Sequence, residues 1–372
     1  AATRINKDGL IETVASGVSR LNYPLIDGVV NGCPSHLLEP SRLQKIQYSE
    51  DFSNAYWTKS DTTITSNATI SPDGTLNATK LLENSNNSVH RITPNSSASI
   101  ASDVSMSVFV KAAEREWVMI RESAQTGAFA YFNVKDGYVG QIGISATAKI
   151  EDFGNGWFRC TISKNATSAL LDIRICQSDG VNLYQGDGTS GIYIFGAQLE
   201  QGSYPTSYIP NYGTSAGITR SAETANGAGD ASTFNDSEGV LMAEISALDN
   251  DLSNRILSLS NGAYNNSTRI GYNTTSNSIE YRVVSSSSIQ AQLIYALPDI
   301  KTNNKISVKY KSNDFALWVN GFKVDTDPSG LTSIGLDRLN FDDGGGSADF
   351  YGNIKQIQYF DSALNDSDLE KL

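Results

Sequence analysis

Between Val104 and Lys111 the chain alternates without a break, with Val104, Met106, Val108 and Val110 set against Ser105, Ser107, Phe109 and Lys111. Successive side chains on a strand point to opposite faces, so this pattern commits one face to a core and turns the other away. The same alternation returns at Leu171, Ile173 and Ile175, at Ile279, Tyr281 and Val283, and at Ile306, Val308 and Tyr310. Turn signals recur roughly every ten residues, and no 3.6-residue period accompanies them. The chain is therefore expected to be all-β with little helix. A composition rich in Ser, Thr, Asn and Gly, with only 18% charged residues, fits strand edges and turns better than helix interiors.

Length sets the number of cores. At 372 residues the chain suits two sandwiches of roughly 140 to 170 residues each plus connections. The net charge is -12 and no Lys/Arg cluster occurs, so a phosphate backbone finds no complementary surface and nucleic acid is excluded as an expected partner. No apolar run approaches the roughly 18 residues that a spanning helix needs, so membrane insertion is not expected. The opening AATRINKDGLIE carries no basic-then-apolar leader and reads as the interior of a longer chain. Three cysteines, Cys33, Cys160 and Cys176, are too few and too widely spaced for a disulfide framework or a zinc site. Cys160 and Cys176 are expected as buried thiols, with a bridge between them as the alternative. With His36 and His90 the only imidazoles, most nucleophile-base and metal schemes lack a partner.

Residues 1–46 hold turn signals at KDG, IDG and NGCP between short apolar pairs, and are expected to form an N-terminal extended arm or hairpin lying against a neighbour. A first sandwich is expected over 47–208, closing on the alternating strand GIYIF at Gly191–Phe195. Residues 209–237, polar and nearly free of large aliphatics, read as a linker. A second sandwich then occupies 238–372. Within it, Asn320-Gly321 between the runs FALWV and FKV is a two-residue hairpin turn, because both residues tolerate positive φ. Ile354, Ile357 and Tyr359 fall out of period two, which predicts a bulge in the last strand. Asn365, with Asp368 three residues on, predicts the cap of a short terminal helix.

Several phrases also resemble known virion proteins. SHLLEPSRLQKIQYSEDFSNAYWTK (Ser35 to Lys59), NGWFR (Asn155 to Arg159) and GAQLEQGSYPTSYIP (Gly196 to Pro210) resemble segments of phage tail and fibre proteins that carry a carbohydrate-binding-module-like sandwich. Leu43-Gln44-Lys45 departs from the usual lead-in. The LWVNG hairpin and the closing YGNIKQIQYFDSALNDSDLEKL resemble laminin-G-like, concanavalin A-like domains. The resemblance implies an all-β fold class: two antiparallel β-sandwich domains, jelly-roll or concanavalin A-like, in tandem. It implies a non-enzymatic tail or capsid fibre protein in a virion. Its partners would be a host cell-surface polysaccharide and other virion proteins, and a homotrimer is a reasonable assembly. The alternatives are the carbohydrate-binding portion of a secreted polysaccharide-degrading enzyme and a purely architectural virion protein.

Sugar recognition needs aromatic faces with polar groups beside them. Tyr56, Trp57, Tyr131 and Tyr138 in the first domain and Tyr272 and Trp318 in the second are the candidate glycan-binding residues, with Tyr264 and Trp117 also considered; packing in the core is the competing role for each. Asp342, Asp343 and Asp349 around the GGG loop are candidate calcium ligands, since loop carboxylates are hard oxygen donors, although Asp/Gly clusters are also ordinary turn chemistry. No carboxylate pair has the pattern of a glycosidase, so no catalytic residue and no other cofactor is expected.

Overall fold

The computed structural model describes residues 2–100, 102–123 and 127–372. It divides into two compact units, one of residues 1–34 and 41–221, the other of residues 35–40 and 222–372. Both are antiparallel β-sandwiches.

The first unit contains β1 (Trp57–Ser60), β2 (Thr62–Thr69), β3 (Ala78–Glu83), β4 (Arg91–Pro94), β5 (Asp103–Ala112), β6 (Trp117–Glu122), β7 (Phe129–Asn133), β8 (Tyr138–Ile142), β9 (Thr147–Asp152), β10 (Trp157–Asn165), β11 (Leu171–Cys176) and β12 (Gly191–Gln201). One six-stranded sheet runs β9-β10-β5-β12-β3-β2, the other β8-β7-β6-β11-β4-β1. Val104, Met106, Val108 and Val110 of β5 are fully buried and join Val118, Ile120, Phe132, Ile173 and Ile175 in one core, as their alternation requires. Phe109 faces the other way, into a smaller cluster with Trp157, Phe195, Tyr208 and Ile11. Ile11 lies in the N-terminal arm, where Ala2–Ile5 and Ile11–Val14 pair as an antiparallel hairpin. Cys160 and Cys176 are both buried free thiols, and burial pushes both thiols up, away from the reactive thiolate.

The GAQLE phrase has a physical role in this unit. The β5-β12 register shifts between Ser107 and Phe109, and Gly196 takes φ 59° there. A Cβ on Gly196 would come within 2.9 Å of the Phe109 ring, so the bulge requires glycine. The buried Glu200 accepts from Thr206 N at 2.6 Å and Thr206 Oγ1 at 2.7 Å, while Gln198 Oε1 accepts from Ile209 N at 2.7 Å. Gln44, fully buried, donates to the carbonyls of Ala197 and Ile209 and accepts from Ile46 N and Leu199 N. These ties fasten residues 209–221 to the first unit, and Ile218–Arg220 pairs with Arg42–Gln44. The segment expected at 209–237 as a linker or extended tie divides between the two units. Its first part is strapped to this sandwich, and Phe234 from its second part enters the other core.

The second unit contains β13 (Glu238–Ala247), β14 (Arg255–Ser260), β15 (Ser267–Tyr272), β16 (Ser278–Ser285), β17 (Ser288–Ala296), β18 (Asn304–Lys311), β19 (Phe315–Val319), β20 (Phe322–Asp327), β21 (Arg338–Asn340), β22 (Gly352–Phe360) and α1 (Asp366–Leu369). One sheet places β22-β13-β18-β19-β20 in order, with Ser35–Leu38 beside β22. Residues 35–40, expected in the arm, therefore belong to this sandwich by long-range pairing. The facing sheet runs β17-β16-β15-β14-β21. Between them lie Leu241, Ile245, Leu257, Ile270, Tyr272, Tyr281, Val283, Ile306, Val308 and Tyr310. The buried phenols are satisfied across the core: Tyr272 donates to Ile245 O at 3.2 Å and Tyr281 to Lys309 O at 3.0 Å. The local sequence signals hold here. Asn320 and Gly321 have φ 51° and 81°, the last strand slips register between Ile354 and Gln356, and Asn365 accepts from Asp368 N to cap α1.

A buried ionic network helps hold the first unit together. Arg115 donates from Nε and Nη2 to the two oxygens of Glu83 at 2.9 and 2.6 Å, and Tyr184 Oη and Asp187 N donate to the same carboxylate. Burial alone would raise the Glu83 carboxyl above its ordinary 4.5; the hydrogen bonds outweigh burial and hold it below. Stability from this network is therefore present above about pH 4.5 and lost as pH falls through the depressed folded value. Glu83→Ala, which takes from Arg115 its bidentate partner and leaves only the longer contact to Asp187, should cost about 3 kcal/mol at neutral pH. Denaturant unfolding followed by tryptophan fluorescence checks this, with the loss shrinking in acid.

Candidate functional site

In the second unit, β14, β15 and β16 send alternate residues into the core and the rest to the outer face of their sheet. Ile270 and Tyr272 of β15 go inward, leaving Ser267, Arg269 and Gly271 outward; Tyr281 and Val283 of β16 leave Glu280 and Arg282 outward. Register sets Arg269 directly opposite Arg282 and, on its other side, opposite Ser258 of β14. Two loops border this outer face. The loop 261–266 is anchored where Ser267 Oγ donates to Tyr264 O at 3.1 Å and Asn266 Oδ1 accepts from Ser286 N at 2.9 Å. The DDGGGS loop closes on itself, with Asp343 Oδ1 accepting from Gly345 N and Ser347 N. Gly344, at φ 87°, passes so close to Ser260 that a Cβ would meet its side chain at 2.8 Å, so the loop lies tightly over the strand end.

Between these loops is an open pocket of about 190 Å³ lined by Asn254, Tyr264, Arg269, Asn273, Glu280, Arg282 and Asp343, with Ile256 and Gly271 among the other lining residues. Gly271 carries no side chain where a Cβ would meet Arg255 O at 2.7 Å and Ile256 Cγ1 at 2.9 Å. Tyr264 is 44% exposed, and its ring lies over the buried Arg269 guanidinium at 4.0 Å. Arg282 Nη1 donates to the Tyr264 hydroxyl at 3.4 Å, and Arg282 Nη2 pairs with Glu280. Glu280 also accepts from Gln292 Nε2 at 3.0 Å. Hydrogen bonding to Arg269, together with the charges of Arg269 and Arg282, outweighs burial and holds the Tyr264 phenol below its ordinary value of 10.

The pocket thus offers one aromatic ring held flat by a cation, with amide, carboxylate and guanidinium groups around it. That is the equipment for gripping a polar ring that has an apolar C–H face.

Most of the aromatic residues expected from sequence to bind a glycan are elsewhere, and the reason is packing. Trp57 is 1% exposed and packs against a tilted Phe52 and edge-on to Tyr56 in the first core, with Tyr56 itself 8% exposed. Tyr131 is buried in a small cluster with Met119 and Cys176. Tyr272 is among the residues lining the pocket, but its side chain is 1% exposed and packs in the core, and Trp318 is buried with Val240, Ala316 and Leu369 beneath α1. None of these five has a free ring face. Tyr138 remains exposed, edge-on to Trp117 at 5.6 Å. Among the described residues, no group of three or more His, Cys, Asp or Glu side chains gathers to hold a metal ion. Asp342 instead accepts from Asn226 Nδ2 and Gly344 N, Asp343 from its own loop, and Asp349 from Tyr351 Oη. Arg269 and Arg282 escaped the sequence reading, because only strand register brings them together.

No protein-family model and no curated protein matches the sequence. Among solved structures, the chain is similar to the Ruminococcus gnavus IT-sialidase CBM40 bound to α2,3-sialyllactose, at 15% identity and TM-score 0.33, over 40% of this chain and 95% of that one. It is also similar to the carbohydrate-binding module CBM66 of Bacillus subtilis (14% identity, TM-score 0.26, 37% of this chain and 77% of that one). Mouse laminin α1 domains LG4-5 are a third (9% identity, TM-score 0.27, 76% of this chain and 90% of that one). At these values the likeness identifies no ligand and no site.

The arrangement around Tyr264 makes a measurable claim. Its phenol should titrate below that of a free tyrosine, and Arg269→Gln should move it back up. A pH series of ¹³C-tyrosine NMR spectra reports both, and an unshifted Tyr264 in the wild type would contradict the stacked geometry.

Proposed function

We propose that this chain is a non-catalytic glycan-binding protein and that the Tyr264 pocket on the second sandwich is where the sugar sits. One observation carries the reading: a half-exposed aromatic ring, stacked on a buried guanidinium, at the mouth of a pocket rich in amide and charged groups. The pocket carboxylates support binding over cleavage, since Glu280 is held by Arg282 and Gln292 and Asp343 by its own loop amides. Neither stands free as a general acid.

The virion setting belongs to the same proposal and rests on the Ser35 to Lys59, Asn155 to Arg159 and Gly196 to Pro210 phrases. In a fibre that carries several copies, weak single-site contacts with a host surface polysaccharide add up to firm attachment. A homotrimer would supply such copies.

Affinity electrophoresis of the full chain through gels containing candidate host polysaccharides tests the reading. Wild type should be retarded in at least one, and Tyr264→Ala should weaken retention about tenfold while leaving the thermal unfolding profile intact. Polysaccharide chain length should stay constant, and a chelator should leave retention unchanged, because Asp342, Asp343 and Asp349 are occupied by internal hydrogen bonds. Shortened polysaccharide would replace the reading with an enzyme; no retardation on any host material would leave an architectural virion protein.

A further inference from the structure

The arginines behind Tyr264 say more about the ligand than that it is a sugar. Arg269 is 3% exposed, and among the described residues neither its Nε nor its Nη2 has a hydrogen-bond acceptor. These two N–H groups form one edge of the guanidinium, spaced to meet both oxygens of a carboxylate. Arg115 in the first unit uses this same edge, Nε and Nη2, to bind both oxygens of Glu83.

The row in which Arg269 lies compounds the problem. Arg282, its register partner on β16, also leaves Nε without an acceptor, and the Oγ of Ser258, its partner on β14, has no hydrogen bond either. Two like charges directly opposite on one sheet face repel, and buried donors without acceptors each cost free energy. Glu280 offsets Arg282 alone, since its Oε1 pairs with Arg282 Nη2. Overall charge does not explain two adjacent arginines here, because the chain is net negative at -12. A hydroxyl entering the pocket could accept one of these bonds. A carboxylate could accept several and would also neutralise the repulsion.

We propose that the pocket selects a carboxylate-bearing sugar, an acidic unit of a polysaccharide, whose carboxylate is received by Arg269 and Arg282. This deepens the glycan-binding reading and rests on it. Tyr264 has a second part in the account: its ring covers Arg269 and must tilt outward on its loop for the carboxylate to reach the Nε/Nη2 edge. The sugar ring then packs against the displaced aromatic face. Pocket opening and acid recognition are thereby coupled, so the neutral analogue of the same sugar gains less from opening it.

The test is arginine side-chain NMR of the full chain, with the Nε–Hε signals assigned through Arg269→Lys and Arg282→Lys. Glucuronate and galacturonate are titrated in parallel with glucose and galactose. The expected result is movement of the Arg269 and Arg282 signals with the acids, at an affinity about tenfold or more above the neutral sugars. Arg282→Gln, at the partly exposed member of the pair, should bring the acid affinity down toward that of the neutral sugars. Equal affinity for acid and neutral sugars, with pocket signals moving for both, would overturn acid selection and leave glycan binding standing. No movement of pocket signals with any of the four would overturn both. Because the decisive comparison uses the wild type, misfolding of a variant does not rescue the proposal.

Discussion

Each strand in a two-sheet sandwich has two faces, and only one can enter the core. The other must be covered, solvated or used. In the first unit the outward Phe109, Trp157 and Phe195 are covered by Ile11 of the N-terminal hairpin and by Tyr208 beyond the closing strand. In the second unit Trp318 and Val240 are covered by Leu369 of the short terminal helix. The β14-β15-β16 face is neither apolar nor fully solvated. It carries Ser258, Arg269, Glu280 and Arg282 under two loops.

The same constraint explains the polar residues of the closing phrase. A strand followed directly by a strap has backbone amides and carbonyls that water no longer reaches, so each needs a partner. Gln44, Gln198 and Glu200 supply those partners from buried side chains, and Gly196 supplies the bulge that lets Tyr208 pack beside Phe109. Buried polar groups are tolerated here because they are satisfied. Around Arg269 they are not, and the contrast between Arg115, fully engaged by Glu83, and Arg269, with an open donor edge, is the strongest physical pointer to a ligand in the molecule.

What could be read from sequence follows the range of the interaction. The Asn320-Gly321 turn, the bulge near Lys355 and the Asn365 cap were legible because each is decided within a few residues. The cores were legible through alternation, as at Val104 to Val110. Faces were harder: Tyr272 and Trp318 sit in strands where an aromatic side chain fits either side, and Tyr272 went into the core between the sheets while Trp318 went to the outer face beneath α1. The unit boundary moved because Ser35–Leu38 pairs with β22, more than three hundred residues later in the chain. The Arg269 and Arg282 pair depends on β15-β16 register, which no local pattern encodes.

Hydrogen exchange of the full chain, with and without a host polysaccharide that retards it, tests the central claim most directly, that the outer face of the β14-β15-β16 sheet is the binding surface. The account predicts added protection in residues 254–273, 280–282 and 343–348, with the first unit unchanged. Protection confined to the first unit, around Tyr138 for example, would contradict it and move the binding site to the other sandwich.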